Sequence, residues 1–160
     1  MKFLNTLLFV SLCSFSFAQQ KTNLIGTYTL NKTKTDFGQV PQWVIPVKLK
    51  VINNDGKITL VRTVTDQAGT ASDRTLAFGN NTTIDYNSPS GAKNKATVQF
   101  GDDRSTLTLS QTSTDASGQP GLSFKEIWSL TDGGKNLQVD RHVEQPDGLN
   151  YDIKLYYDKQ

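Results

Sequence analysis

The loops of this chain constrain its fold more than any other feature, because their lengths agree in parity with the alternation of the segments they join. Asn54-Asp55-Gly56, Gln67-Ala68-Gly69, Asp132-Gly133-Gly134-Lys135 and Pro146-Asp147-Gly148 each stand between runs of alternating apolar and polar residues. In an antiparallel hairpin an even loop pairs odd positions with even ones, whereas an odd loop pairs like with like. Val47, Leu49 and Val51 must share a face with Ile58, Leu60 and Val64, so an even loop is required. Two residues drawn from Asn54-Asp55-Gly56 supply it. Leu60 and Val64 must then meet Leu76 and Phe78 through an odd loop, and Gln67-Ala68-Gly69 carries glycine where a left-handed bulge residue belongs. The even loop Asp132 to Lys135 sets Phe124, Trp128 and Leu130 against Leu137, Val139 and Val143. The odd loop Pro146-Asp147-Gly148 sets those against Tyr151, Ile153, Leu155 and Tyr157. Its proline presets φ at the first turn position, and its glycine accepts positive φ at the third.

Strands are predicted near 23–30, 46–53, 57–65, 72–78, 82–87, 94–100, 104–112, 122–130, 136–144 and 150–157. No segment sustains helical periodicity, which excludes βαβ units. The expected fold is all-β, an antiparallel up-and-down meander closed into a barrel of 8–10 strands. The segment Asn31 to Pro46 is long for a hairpin. It reads either as a crossing segment or lid with Phe37 and Trp43 as plugs, or as a loop whose aromatics pack on the rim. Thr112 to Gly121 reads as a polar, mobile loop.

The first residues have the pattern of a secretory signal. Lys2 supplies the positive start, Leu4 to Leu12 the apolar stretch, and Ser16-Phe17-Ala18 the small residues before a cleavage site. Residues 1–18 are therefore expected to be a signal peptide and 19–160 a single β-barrel domain, periplasmic or secreted. The apolar stretch is short of the roughly 20 residues a bilayer span needs. Cys13 is the only cysteine. A lipidation signal wants a small residue before it, and Leu12 stands there. Without Cys13 the exported domain has no disulfide, so sheet and core must stabilise it. The formal charge of +2 falls to +1 without Lys2. There is no basic block or aromatic-basic stripe, which argues against a nucleic-acid partner.

The apolar phase of the strands also carries Arg62, Arg74, Glu126 and Arg141. Setting Leu130 opposite Leu137 places Glu126 opposite Arg141, a pair able to satisfy itself across neighbouring strands. The three-residue loop sets Arg62 opposite Arg74, and two like charges so placed need neutralising. Another carboxylate such as Glu126, open water at a barrel mouth, or an anionic ligand would do so. A guanidinium fork suits the last, because it binds carboxylate or phosphate in bidentate fashion. Trp128 and Tyr151 lie on the same inward phase.

Catalytic and metal patterns are poor. His142 is the only histidine and falls on the polar phase between Arg141 and Val143. A triad or zinc site would need it inside with partners. Asp102-Asp103 and Asp132-Gly133-Gly134 lack the ligand ladder of a calcium loop and read as turns. No cofactor or metal is expected.

Gly26-Thr27-Tyr28-Thr29-Leu30-Asn31, followed by Lys34 and Asp36-Phe37, resembles the opening of a group of small exported bacterial proteins of the Bacteroidetes type. Those proteins start with Gly-Thr-Trp-x-Leu-Asn and a Lys-Ser-x-Phe element. Tyr157-Asp158-Lys159-Gln160 resembles their ending, and Glu126-Ile127-Trp128-Ser129-Leu130 with Asp132-Gly133 is similar too. The resemblance covers nearly all of 19–160 and implies a lipocalin-like, calycin-type barrel without a known activity. In lipocalins a first-strand Gly-x-Trp closes the barrel floor beneath a basic residue of the last strand; here Gly26 matches and Tyr28 replaces the tryptophan. Fatty-acid-binding barrels, similar in strand count, hold a carboxylate with interior arginines and a tyrosine.

These readings lead to an exported barrel that binds a small amphipathic or anionic ligand in its lumen, with Arg62, Arg74, Glu126, Trp128, Arg141 and Tyr151 as candidate ligand-binding residues. The alternative is a structural or protein-interaction module whose interior charges pair among themselves. An enzyme with His142 as general base ranks third.

Overall fold

The computed structural model describes residues 23–38, 40–79, 82–88, 91–102 and 104–160. Ten strands follow in order: β1 (Gly26–Leu30), β2 (Lys48–Asn54), β3 (Lys57–Thr65), β4 (Ala71–Gly79), β5 (Thr83–Asn87), β6 (Lys93–Phe100), β7 (Thr106–Thr114), β8 (Ser123–Thr131), β9 (Asn136–Glu144) and β10 (Asn150–Lys159). They pair antiparallel in the order β4-β3-β2-β1-β10-β9-β8-β7-β6-β5. This is an up-and-down meander in which β1 meets β10, so the barrel is nearly closed. The seam is between β4 and β5, the two ends of this order, which form no ladder with each other.

The parity of each loop is as expected. Asn54 pairs with Lys57 around Asp55-Gly56. Asp66 N–H bonds to the Thr70 carbonyl around Gln67-Ala68-Gly69, with Gly69 in the left-handed region at φ 86°. Thr131 pairs with Asn136 around the four-residue loop. Gln145 N–H bonds to the Leu149 carbonyl around Pro146-Asp147-Gly148. A bulge interrupts the β3–β4 ladder between Ile58 and Thr59, below the level of Arg62, and so leaves the Arg62–Arg74 register intact.

The stretch from Thr112 to Gly121 differs from its reading as a mobile loop. Strand β7 runs on to Thr114, a bridge joins Thr114 to Pro120, and Gly121 N–H bonds to the Ser113 carbonyl. The Asp115 carboxylate accepts from the N–H groups of Ser117 and Gln119, so a short polar side chain closes a tight turn where composition suggested slack.

The inward phase forms one core that includes Trp128, Tyr28, Tyr157, Leu49, Leu60, Leu107, Leu109, Leu137 and Leu155. One end of the barrel, the terminal end, carries the start of β1, the end of β10 and the β2–β3, β6–β7 and β8–β9 connections. There Leu24 N–H bonds to the Arg104 carbonyl, and the Tyr28 hydroxyl donates to the Leu24 carbonyl at 2.8 Å. The Lys159 ammonium sits 5.7 Å from the centre of the Tyr28 ring. Gly26 lies against the same lysine, where a Cβ would stand 2.9 Å from Lys159 Cε.

The opposite, loop end carries the remaining turns and the β1–β2 connection. Strand β1 is too short to pair with the first half of β10, and the connection takes over that edge. Asn31 N–H bonds to the Tyr156 carbonyl, Tyr156 N–H to Thr35 Oγ1, and Asp36 bridges to Lys154. Phe37 packs against the core and Ile45 is fully buried, whereas Trp43 is 42% exposed. The plugging residues are thus Phe37 and Ile45. Trp43 belongs to the rim.

Candidate functional site

Glu126 is the hub of the barrel's interior charges. Its phase on β8 turns it inward, and burial leaves it 1% exposed. The β8–β9 ladder sets Arg141 directly opposite, as the even loop requires. Arg141 Nε donates to Glu126 Oε1 at 2.6 Å, with Arg141 Nη2 at 2.5 Å from the same oxygen. The other oxygen accepts from Trp128 Nε1 at 2.8 Å and from Arg62 Nη2. Arg62 is on β3, well away from β8 in the sheet order, so its side chain reaches across the lumen. The Phe124 ring lies 5.4 Å from each guanidinium, and the Trp128 ring 5.8 Å from that of Arg62. These aromatic faces supply cation–π contact where water is excluded.

Burial by itself would raise the Glu126 carboxyl. The Arg141 and Arg62 guanidinium groups, with the Trp128 N–H, outweigh it and hold the group below the usual carboxylate range. The trio Arg62–Glu126–Arg141 carries a net +1. Its accounting is incomplete, because Arg62 Nε is buried without a hydrogen-bond acceptor.

Arg74 stands opposite Arg62 in the β3–β4 register, as the odd loop predicts. Its surroundings differ from the interior placement that the alternation suggests, since the residue is exposed. The cause is the seam: β5 makes no ladder with this half of β4, and Ser72 and Arg74 are left facing water. The two like charges are therefore relieved in two ways. Arg62 turns to Glu126 and Arg74 to solvent. No carboxylate among the described residues pairs with Arg74.

A polar chain continues around the loop half of the wall. The Tyr86 hydroxyl on β5 donates 2.7 Å to Gln111 Oε1 on β7, Gln111 Nε2 donates 3.3 Å to Asn94 Oδ1, and Asn94 Nδ2 donates to the Ala92 carbonyl. Burial raises the Tyr86 hydroxyl above its ordinary value, against the pull of Arg62 and Arg74. Tyr151 packs against the core at the same end, opposite Val143.

Of the candidate residues, Arg62, Glu126, Trp128 and Arg141 meet in one cluster. Arg74 and Tyr151 lie around it without a hydrogen bond to it. Tyr86, Asn94 and Gln111 were legible as polar residues on an apolar phase, but their mutual bonding was not, because Tyr86 and Gln111 are on strands that do not adjoin. His142 is on the outer face, with Nδ1 2.7 Å from Asp152 Oδ1 and Nε2 3.8 Å from Glu144 Oε1. Among the described residues no group of three or more His, Cys, Asp or Glu side chains could hold a metal ion, and no helix is long and apolar enough to cross a membrane.

Fold and cluster together define the class: a ten-stranded up-and-down meander barrel with a carboxylate held between two arginines in its interior. The chain matches no protein-family model and no curated protein.

Proposed function

We propose that this barrel carries a small anionic amphiphile at its loop end, the acidic head lying toward Arg74 and Arg62. One observation supports this reading above others. In that half the trio Arg62–Glu126–Arg141 sets two guanidinium groups against one carboxylate and leaves Arg62 Nε–H without an acceptor, while exposed Arg74 stands opposite Arg62 with no carboxylate partner among the described residues. The buried net positive charge of that trio is relieved by an anion entering beside Arg74, and the guanidinium fork matches a carboxylate. The seam gives access, Tyr86 on β5 offers apolar surface beside it, and the Phe124 ring lies 5.4 Å from the Arg62 guanidinium inside. The Lys159–Tyr28–Gly26 contact at the terminal end supports the lipocalin-like resemblance, since it has a basic last-strand residue over the first-strand ring.

The test is thermal unfolding with decanoate and with decanol. Decanoate raises Tm and decanol does not, and Arg74→Ala weakens decanoate by about tenfold, as expected for loss of a charge-assisted contact. No stabilisation by decanoate ends this reading.

A second reading, a structural or protein-interaction module without a ligand, is favoured by the full occupation of both Glu126 oxygens. Under it decanoate is silent, while the cluster still governs stability.

We further propose export, to the periplasm or the medium. The support is the pattern of residues 1–18, which lie outside the described residues. Mass spectrometry of the native protein is expected to find Gln19 at the amino terminus. Recovery of the native protein with residues 1–18 attached would refute export by this route.

A further inference from the structure

A cavity lies at the terminal end, separate from the charged cluster. It has a volume of about 160 Å³ and is walled by Leu24, Ile58, Phe78, Val98 and Phe100, with Arg104 at its edge. Three features of the chain open it. Strand β4 ends at Gly79, which has φ 53° and no atom within 4 Å of where a Cβ would stand. Gly56 on the β2–β3 turn leaves the same kind of space. The seam removes the ladder that would draw β4 and β5 together. Leu60 and Leu76, both buried, separate the cavity from Arg62 and Arg74. The two sites are about 13 Å apart along β3, at roughly 3.3 Å per residue.

The lining fixes the chemistry that would fit. A void of about 150 Å³ accommodates a benzene ring, so the space suits one aromatic ring and not an acyl chain. Phe78 and Phe100 provide aromatic surface for it. Arg104 is the only charged residue among those lining the cavity, and no carboxylate among the described residues pairs with it. It also adopts φ 59°, a left-handed conformation that a non-glycine residue rarely takes. We propose that the terminal end is a binding site for a small aromatic monocarboxylate, its ring against Phe78 and Phe100 and its carboxylate paired with Arg104.

Amide-resolved NMR titration with benzoate tests this, with benzyl alcohol and acetate as the neutral and ring-free probes. Benzoate is expected to shift the amides of Gly79, Thr82 and Phe100, with acetate leaving them in place and benzyl alcohol binding more weakly. Arg104→Gly keeps the turn, because glycine adopts positive φ without strain, and is expected to weaken benzoate about tenfold, the order of one charge-assisted contact. Arg104→Lys retains the charge and most of the binding. The same spectra report whether each variant is folded. Benzoate shifts confined to residues around Arg74 and Tyr86, equal binding by Arg104→Gly, or no shift at all would each overturn the proposal. Decanoate binding at the loop end is a separate measurement and is untouched by any of these outcomes.

Discussion

Glu126→Gln is expected to destabilise the protein by about 3–5 kcal/mol, the range found when one partner of a buried ion pair is removed. The variant keeps the shape but leaves the Arg62 and Arg141 guanidinium groups with no carboxylate in a site that excludes water. It also places an amide NH2 where an acceptor stood. Urea unfolding measures the loss. The companion variant Arg62→Met/Glu126→Leu/Arg141→Met removes all three charges together and is expected near wild-type stability or above it, since desolvation offsets much of what a buried pair contributes. If Glu126→Gln unfolds at the wild-type urea concentration, the cluster does not support the fold.

The same carboxylate sets the acid limb of stability. A group held below its ordinary value in the folded state contributes stability that is fully present above the unfolded carboxylate range, near pH 4. That contribution is lost as the pH falls through the depressed folded value. Wild type is therefore expected to lose stability progressively below about pH 4, and Glu126→Gln to follow a flatter acid limb. Equal slopes for the two would remove Glu126 from the account.

Trp128→Ala is the second large effect, expected at about 3–5 kcal/mol for a buried tryptophan cut to a methyl group. Trp128 is fully buried, stacks near the Arg62 guanidinium and donates to Glu126. The loss thus combines a cavity with a broken charge-assisted bond. Trp128→Phe separates the two: it retains most of the packing and gives up the N–H, for an expected cost of about 1–3 kcal/mol. Trp43, the only other tryptophan, is 42% exposed, and Trp43→Ala should stay within about 0.5 kcal/mol. Denaturant titration followed by circular dichroism reads all three variants. Fluorescence adds an internal check, because the blue-shifted emission should vanish with Trp128 and remain without Trp43. A Trp43 effect as large as that of Trp128 would contradict the burial of Trp128 and the exposure of Trp43.

Much of the barrel was legible from local pattern. Alternation has a period of two and each hairpin is closed by its own loop, so the facing of Glu126 with Arg141 and of Arg62 with Arg74 followed from counting. The turn at Asp115 looks mobile from composition alone, because composition does not reveal that one carboxylate will accept two backbone N–H groups. Trp43 was a plug candidate on hydrophobicity alone, yet Ile45, two residues on, is the one the connection buries. Which face of an irregular segment turns inward depends on the edge it docks to, here the free half of β10.

The sequence by itself determined the meander, its registers and the set of side chains on the inner phase, because each of these is decided between neighbours in the chain. Only the tertiary structure decided what those side chains meet. The Arg62–Glu126 contact joins residues 64 apart across a lumen, and its existence depends on how closure staggers the strands. The exposure of Arg74 depends on a ladder that fails to form between β4 and β5. The lysine over Tyr28 depends on β1 and β10 coming together. Periodicity fixes direction along a strand and carries no information about distance across a barrel. The two arginines that pairing sets face to face thus end in different surroundings, one bound to a carboxylate and one open to water.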